Sequence, residues 1–457
     1  MLEYVKTYNE LLLVFHSRCA LEWDVQTSKA ILEKGIEWGE KVISALSDVN
    51  NSQEISKTYF TLASCLDLFD FFIQEPEEQD KNRSKVVKFL NKAVDISEKA
   101  DDAYLLGLSH IWLGTSLGDE EAVKHFDKAL EFAKITRDNF SLAYGLDCLA
   151  YITYWEALST EDLEKKKELA EKAMQFYEKA RHHCSIISFT PPRRGLIGPP
   201  SGYSEHYFVI GMWETDPKKR LELLKKSEET GIDALNTARK SDVPRTVLGV
   251  LHVVSKTLRN RACMETEHEE KRSLLEKALQ YRKENIEITE KVAPFDYWNL
   301  GVYYDLLAEI KTDLADIEQD ATRKRKLLED AVLSKEKCLQ LSDKVMPYYE
   351  KMGVLRFFSS FRRSQDTYAT LLLRLFDLTN KSEYPKKAIE ISRDAIESAG
   401  KLDMVSLMAE SYWKIARTQD ILGEYSQAAE SFSHASERYT LAAEKIPQLE
   451  NLYLDLA

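Results

Sequence analysis

Apolar residues recur at three- and four-residue steps along almost the whole chain, and strict apolar–polar alternation is nearly absent. That period belongs to amphipathic helices, not to strands. Chain breakers are scarce: 16 glycines and 11 prolines among 457 residues, against usual shares of about 7% and 5%. The reading is therefore all-α, with nineteen helical segments, among them 203–212, 347–377 and 446–457. Pro217, Pro244 and Pro385 fall where a first helical turn tolerates proline. Ser52 and Asp119 have the chemistry of N-caps.

The helices group in twos, and one member of each two repeats a signature. A charged or amide-bearing segment precedes a small residue on an apolar stripe: LNKAV at Ala93, FDKAL at Ala129, AEKAM at Ala173, LEKAL at Ala278 and LEDAV at Ala331, with a further pair near Ala234. Helical pairs recurring every 36–57 residues or so are the mark of a solenoid. A single pair cannot bury its apolar face alone, so neighbours stack into one continuous core. The expected organisation is one repeat body over residues 1–457, of about nine pairs, interrupted at 185–203.

Within that frame the sequence resembles the tetratricopeptide-repeat (TPR) family. Tyr297, Leu300, Gly301 and Tyr304 match the family's first-helix pattern in full. Tyr59, Leu62, Ala63 and Leu66 match it with one substitution. One pair matches on both helices, through Tyr412, Ile415 and Ala416, then Ala428, Phe432 and Ala435. Ala122, Phe126 and Ala129 match the second helix. Small residues let two helices approach closely, and large ones fill the grooves between. The repeats depart from the family in being longer than 34 residues and in mostly lacking its terminal proline. The resemblance implies a right-handed superhelix.

It also implies a binding face. In the family, the residue after the first-helix aromatic lies on the concave surface, as does the residue seven further on. Here these are Phe60 and Asp67, Trp298 and Asp305, and Trp413 and Asp420. A seven-residue step is nearly two turns, so each couple shares one face. Arg417 on the last helix, and Tyr151 and Tyr154 with Asp147 on another, complete the expected partner-binding set. Aromatics with aspartates suit an extended or helical peptide carrying basic and apolar residues. The Lys and Asn that grip chaperone C-termini in some family members are absent from these positions, which disfavours that class of partner. The competing reading is that these rings pack against the next repeat.

Other chemistry finds little support. A formal net charge of −13 disfavours nucleic acid, whose phosphates need a basic footprint. The run Arg323 to Lys326 reads as a solvated helix face, and Leu355 to Arg363 as a repeat helix. The six cysteines stand at least about 36 positions apart, without zinc-knuckle spacing, as small buried hydrophobes in a reducing cytoplasm. His182, His183 and Cys184 are contiguous, with His206 downstream, but adjacent helical residues diverge by about 100°. No nucleophile elbow or phosphate loop is present. No apolar run approaches the ~20 residues of a membrane span. Neither a metal, a cofactor nor an enzyme activity is expected.

Residues 185–203 hold Pro191, Pro192, Pro199 and Pro200. Long structureless loops are uncommon in compact arrays and usually functional or disordered. Arg193, Arg194 and Tyr203 there are candidates to bind in trans, or to fold back onto an acidic groove. The sequence stops at NLYLDLA, with no polar capping helix after it, as if the chain were a fragment or a partner covered that end. The leading expectation is a non-enzymatic scaffold that binds a peptide or protein segment on its concave face. A second is the sensor arm of a larger signalling NTPase or transcription regulator. A third is a homo-oligomeric element joined through its C-terminal end.

Overall fold

A computed structural model describes residues 1–117, 119–186, 199–241, 244–351 and 355–445. Among them are eighteen α-helices, and consecutive helices pack as antiparallel pairs in a TPR-like solenoid. The residues form two compact units. The first comprises Met1–Tyr151, Ala173–Met264 and Gln280–Asp296; the second, Ile152–Lys172, Glu265–Leu279 and Tyr297–Ala457.

In chain order the helices are α1 (Leu2–Leu21), α2 (Val25–Ser44), α3 (Ser52–Phe69), α4 (Pro76–Ala100), α5 (Ala103–Ser116), α6 (Asp119–Thr136), α7 (Asn139–Ser159), α8 (Leu163–Ile186) and α9 (Pro199–Trp213). They continue as α10 (Pro217–Ser241), α11 (Pro244–Met264), α12 (His268–Val292), α13 (Tyr297–Ile317), α14 (Ala321–Lys351), α15 (Leu355–Thr379), α16 (Glu383–Lys401), α17 (Val405–Ile421) and α18 (Tyr425–Lys445).

Local chemistry sets many of these bounds. Asp24, Asn51 and Asp102 cap their helices by accepting from the backbone N–H three residues on, at 2.7, 2.9 and 3.0 Å. The cap of α3 is thus Asn51, not Ser52, because the Asn51 amide oxygen reaches Glu54 N. Helix ends share a second device. After α4, α6 and α16 one residue turns left-handed (Asp101, Arg137 and Asp403), and the same is true of Gly423 after α17. In each case the next N–H reaches five residues back: Asp102 to Ser97, Asp138 to Ala133, Met404 to Ala399 and Glu424 to Gln419, at 2.8–3.1 Å. This closure satisfies the last carbonyls and reverses the chain within two or three residues.

Boundaries differ from the sequence reading at several helices, among them α4, which starts at Pro76 and not near 83. α14 runs through Pro347 to Lys351, although an interior proline costs a helix about 3 kcal/mol. Val345 and Met346 are buried just before it and hold the turn in place. The expected 185–203 loop is shorter, since α8 continues to Ile186 and α9 starts at Pro199. Proline at the first helical position loses no needed bond. Tyr203 therefore lies on α9, whereas Arg193 and Arg194 fall outside the described residues, as do the expected helix at 446–457 and the chain end.

In the first unit the signature alanines sit at helix contacts: Ala93, Ala129 and Ala173 are fully buried and Ala234 nearly so. Gly114 shows how tight the approach is. A Cβ there would lie 2.6 Å from the Phe126 ring, so α5 and α6 meet only without one. Farther along, Arg282 is wholly buried and donates to Asn285 Oδ1, Ser255 Oγ and the His252 carbonyl, while Asn285 donates to Leu248 O. Burial, then the Arg282 charge, pushes His252 well below the ordinary histidine value. Trp23, Phe71 and Ile288 pack on Leu248, Val292 and Ala293, so the start of the unit touches its end.

The second unit repeats the scheme. Ala331 is fully buried in a core with Ala308, Tyr368, Leu372 and Ala388. Ala278 is buried as well.

Two outcomes follow for stability. Gly114→Ala lowers the thermal midpoint, at a cost of about 1–3 kcal/mol from overpacking, and Phe126→Leu in the same chain recovers part of the loss. Between α5 and α6, His110 Nδ1 lies 2.8 Å from His125 Nδ1. His110 is buried, and its pKa is pushed down to about 4 by burial, then by His125 and Lys128. The folded state thus favours neutral His110, and the stability this confers above about pH 6.5 is lost as the pH falls toward 4. Urea titrations at pH 7 and pH 4.5 should show a smaller loss for His110→Leu than for the parent chain.

Candidate functional site

The expected face is built from the first helix of each pair, and its residues divide sharply by environment. On α3, Phe60 is half-buried, with its ring edge-on to Trp112 of α5 at 5.8 Å. Its ring fills the gap to the next pair. Asp67, seven residues on, is buried at 2% exposure and presents no open carboxylate. On α7, Tyr151 and Tyr154 are half-buried, and the Tyr154 ring meets Trp155 edge-on at 5.9 Å.

α13 tells the same story with charge. Trp298 is half-buried against Tyr349, ring centroids 5.7 Å apart. Asp305 pairs with Lys335 of α14 and accepts from Ser364 Oγ of α15 at 2.5 Å. Lys335 is only 1% exposed. Burial alone would push its pKa down, but the Asp305 and Glu309 carboxylates overcome that and hold it above the ordinary lysine value. Asp305 is the counter-ion that makes a buried ammonium tolerable. It serves the stack of pairs before any ligand.

α17 is different. Trp413 is 39% exposed, and the Arg417 guanidinium lies over its ring at 4.9 Å. Asp420 is exposed one turn on. At 100° per residue these three fall within about 60° of the helix circumference. Ile421 and Tyr425, beside Asp420, are 46% and 71% exposed. An aromatic ring, a guanidinium, a carboxylate and the Ile421 side chain therefore share the C-terminal half of α17, and Tyr425 opens α18 just beyond it.

The helix carrying them is held at two points. Lys414 pairs with Asp366 of α15, both largely buried. The α17 N-terminus has no cap of its own. Instead Glu161, in the α7–α8 connection, accepts from Val405 N and Ser406 N, both at 3.1 Å, and from Ser406 Oγ. A carboxylate at a helix N-terminus meets its unpaired N–H groups and its positive dipole end. Sequence reading missed Glu161, Asp366 and Lys414. Partners 48 to 245 residues apart leave no local pattern.

The His182 and His183 rings stand edge-to-face with centroids 5.5 Å apart, and His183 Nδ1 lies 2.9 Å from Asn139 Oδ1. The described residues contain no cluster of three or more His, Cys, Asp or Glu arranged for a metal ion. Burial pushes the Cys65 and Cys338 thiols up to about 12, which leaves both protonated. No described helix is long and apolar enough to cross a membrane.

The structural assignment of Asp305 can be checked directly. Asp305→Asn, leaving Lys335 buried without its carboxylate, is expected to cost about 3–5 kcal/mol in chemical denaturation. Asp305→Asn with Lys335→Met should restore most of it.

No protein-family model matches the chain, and no curated protein sequence does. Solved structures do match. One is a Pyrococcus horikoshii signal-transduction ATPase with numerous domains and a TPR sensor. The likeness has 14% identity, covers 93% of this chain and 54% of that one, and has a TM-score of 0.47. A Rap protein complexed with competence and sporulation factor is 13% identical, over 93% of this chain and 99% of that one, at a TM-score of 0.45. A circular tandem repeat protein matches at 13% identity over 96% and 97%, with a TM-score of 0.28. At these identities the likeness concerns the fold alone.

Proposed function

We propose that this chain is a non-enzymatic scaffold that binds a segment of another protein on the exposed face of α17. The observation that carries the reading is the joint exposure of Trp413, Arg417 and Asp420 on one helix face. Trp, Tyr and Arg dominate the energetics of protein interfaces, because one rigid ring buries much area at little entropic cost. Covering the exposed part of Trp413 with the neighbouring Ile421 and Tyr425 removes apolar surface from water, at about 25 cal/mol per Å². The exposed Asp420 carboxylate suits a basic side chain on the incoming segment. The chain's net charge of −13 points the same way, toward basic rather than anionic partners.

Phe60, Asp67, Trp298 and Asp305 contribute differently under this reading. They hold successive pairs in register and leave recognition to the last described first helix. The chemistry is association alone, and no bond is made or broken.

The test compares capture of partners from source-cell lysate by the native chain and by a Trp413→Ala/Asp420→Lys variant of unchanged helicity. A partner recovered by the first, and at least tenfold weaker on the second, supports the α17 face. Equal recovery by both rejects it.

A further inference from the structure

Three helices of the second unit converge on a groove that the α17 face does not use. Its floor is α17, through Tyr412, Ile415 and Gln419. These project some 100° to 160° around the helix from Trp413, so floor and exposed face are different sides of α17. One wall is α16, with Ile389, Ile396 and Arg393; the other is α18 and the turn before it, with Glu424, Glu430 and His434. The groove has a volume of about 510 Å³, within the range of ligand sites. From Glu424 to His434 the α18 wall runs about 15 Å, at ~1.5 Å per residue. That length holds four or five extended residues at ~3.3 Å each.

The groove is preformed. Ser431 Oγ donates to Gln419 Oε1 at 2.7 Å and pins α18 to α17 along its base. The Tyr412 and His434 rings stand 5.2 Å apart. Ile415 in the floor and Ile389 at the base of the α16 wall are buried and make the groove's depth apolar, with Ile396 half-buried.

Its charges are unspent. Among the described residues, Glu424, Glu430 and Arg393 enter no ion pair. Glu397, also lining the groove, has only an exposed contact with Lys401 at 3.7 Å. The α18 wall is therefore acidic, and the single guanidinium stands on the opposite wall. An anionic or phosphorylated segment would meet the unpaired carboxylates of Glu424 and Glu430.

We propose that this groove docks a segment of a partner protein in which a basic residue adjoins apolar ones. The apolar side chains lie over Ile396, Ile415 and Tyr412. The ammonium or guanidinium sits between Glu424 and Glu430, and Arg393 donates to a backbone carbonyl of the segment. The site is independent of Trp413, Arg417 and Asp420.

A random heptapeptide phage library selected on the full chain tests it. The expected result is enrichment of peptides with Lys or Arg next to Leu, Ile or an aromatic. Synthetic copies should bind at least tenfold more weakly to Glu424→Lys/Glu430→Lys and to Ile396→Glu, each checked for native helicity, and equally to Trp413→Ala/Asp420→Lys. The proposal is overturned by any of three results: no enrichment, enriched peptides without a basic residue, or synthetic peptides held equally by the parent and both groove variants. Loss only in Trp413→Ala/Asp420→Lys assigns the peptides to the exposed α17 face and likewise overturns the groove.

Discussion

Everything in this molecule depends on how closely two helices can approach. Ala93, Ala129, Ala173, Ala278 and Ala331 are fully buried, each at the same point of its repeat. With nothing larger than a methyl group there, neighbouring backbones close together and the large side chains interdigitate around the contact. Gly114 takes the requirement to its limit, since even a methyl group would collide with Phe126. Ion pairs and caps refine a spacing that these small residues have already set.

Charge then sorts equivalent positions into different trades. Asp67, Asp305 and Asp420 stand seven residues after an aromatic-flanking position in three repeats. Asp67 is buried, Asp305 neutralises a buried lysine, and Asp420 faces water. What differs is the neighbour. Lys335 lies under Asp305 and demands a counter-ion, whereas the basic residues around Asp420 are spent elsewhere: Lys414 on Asp366, and Arg417 over Trp413. The same letter in the same register therefore carries stability in one repeat and stands open to solvent in another.

This explains how far the sequence could be read. Helical period, pairing and the signature alanines were legible because each depends on residues within a few turns of one another. The resemblance to the TPR family picked out a set of positions on the first helices. Which of those positions stay open was not legible. Phe60 is covered by Trp112 from the following pair and Trp298 by Tyr349, and no local window contains both partners. Ends were misjudged for a related reason. Left-handed closure falls on Asp101, Arg137 and Asp403, residue types that do not announce it as glycine does. The groove between α16 and α18 escaped because its walls are read from three helices at once.

The cap that Glu161 places on α17 has a consequence in time. Its partners lie 244 and 245 residues farther along the chain, and the second unit as a whole is assembled from three separate stretches. Translation at ~5–20 residues per second puts roughly 12–50 s between the synthesis of the carboxylate and that of the amides it must meet. Neighbouring pairs such as α3 with α4 are complete in sequence as soon as they emerge, because their contacts are local. The segment 152–172 instead waits for the distant residues to which it belongs, and the chain must keep it from other partners in the meantime.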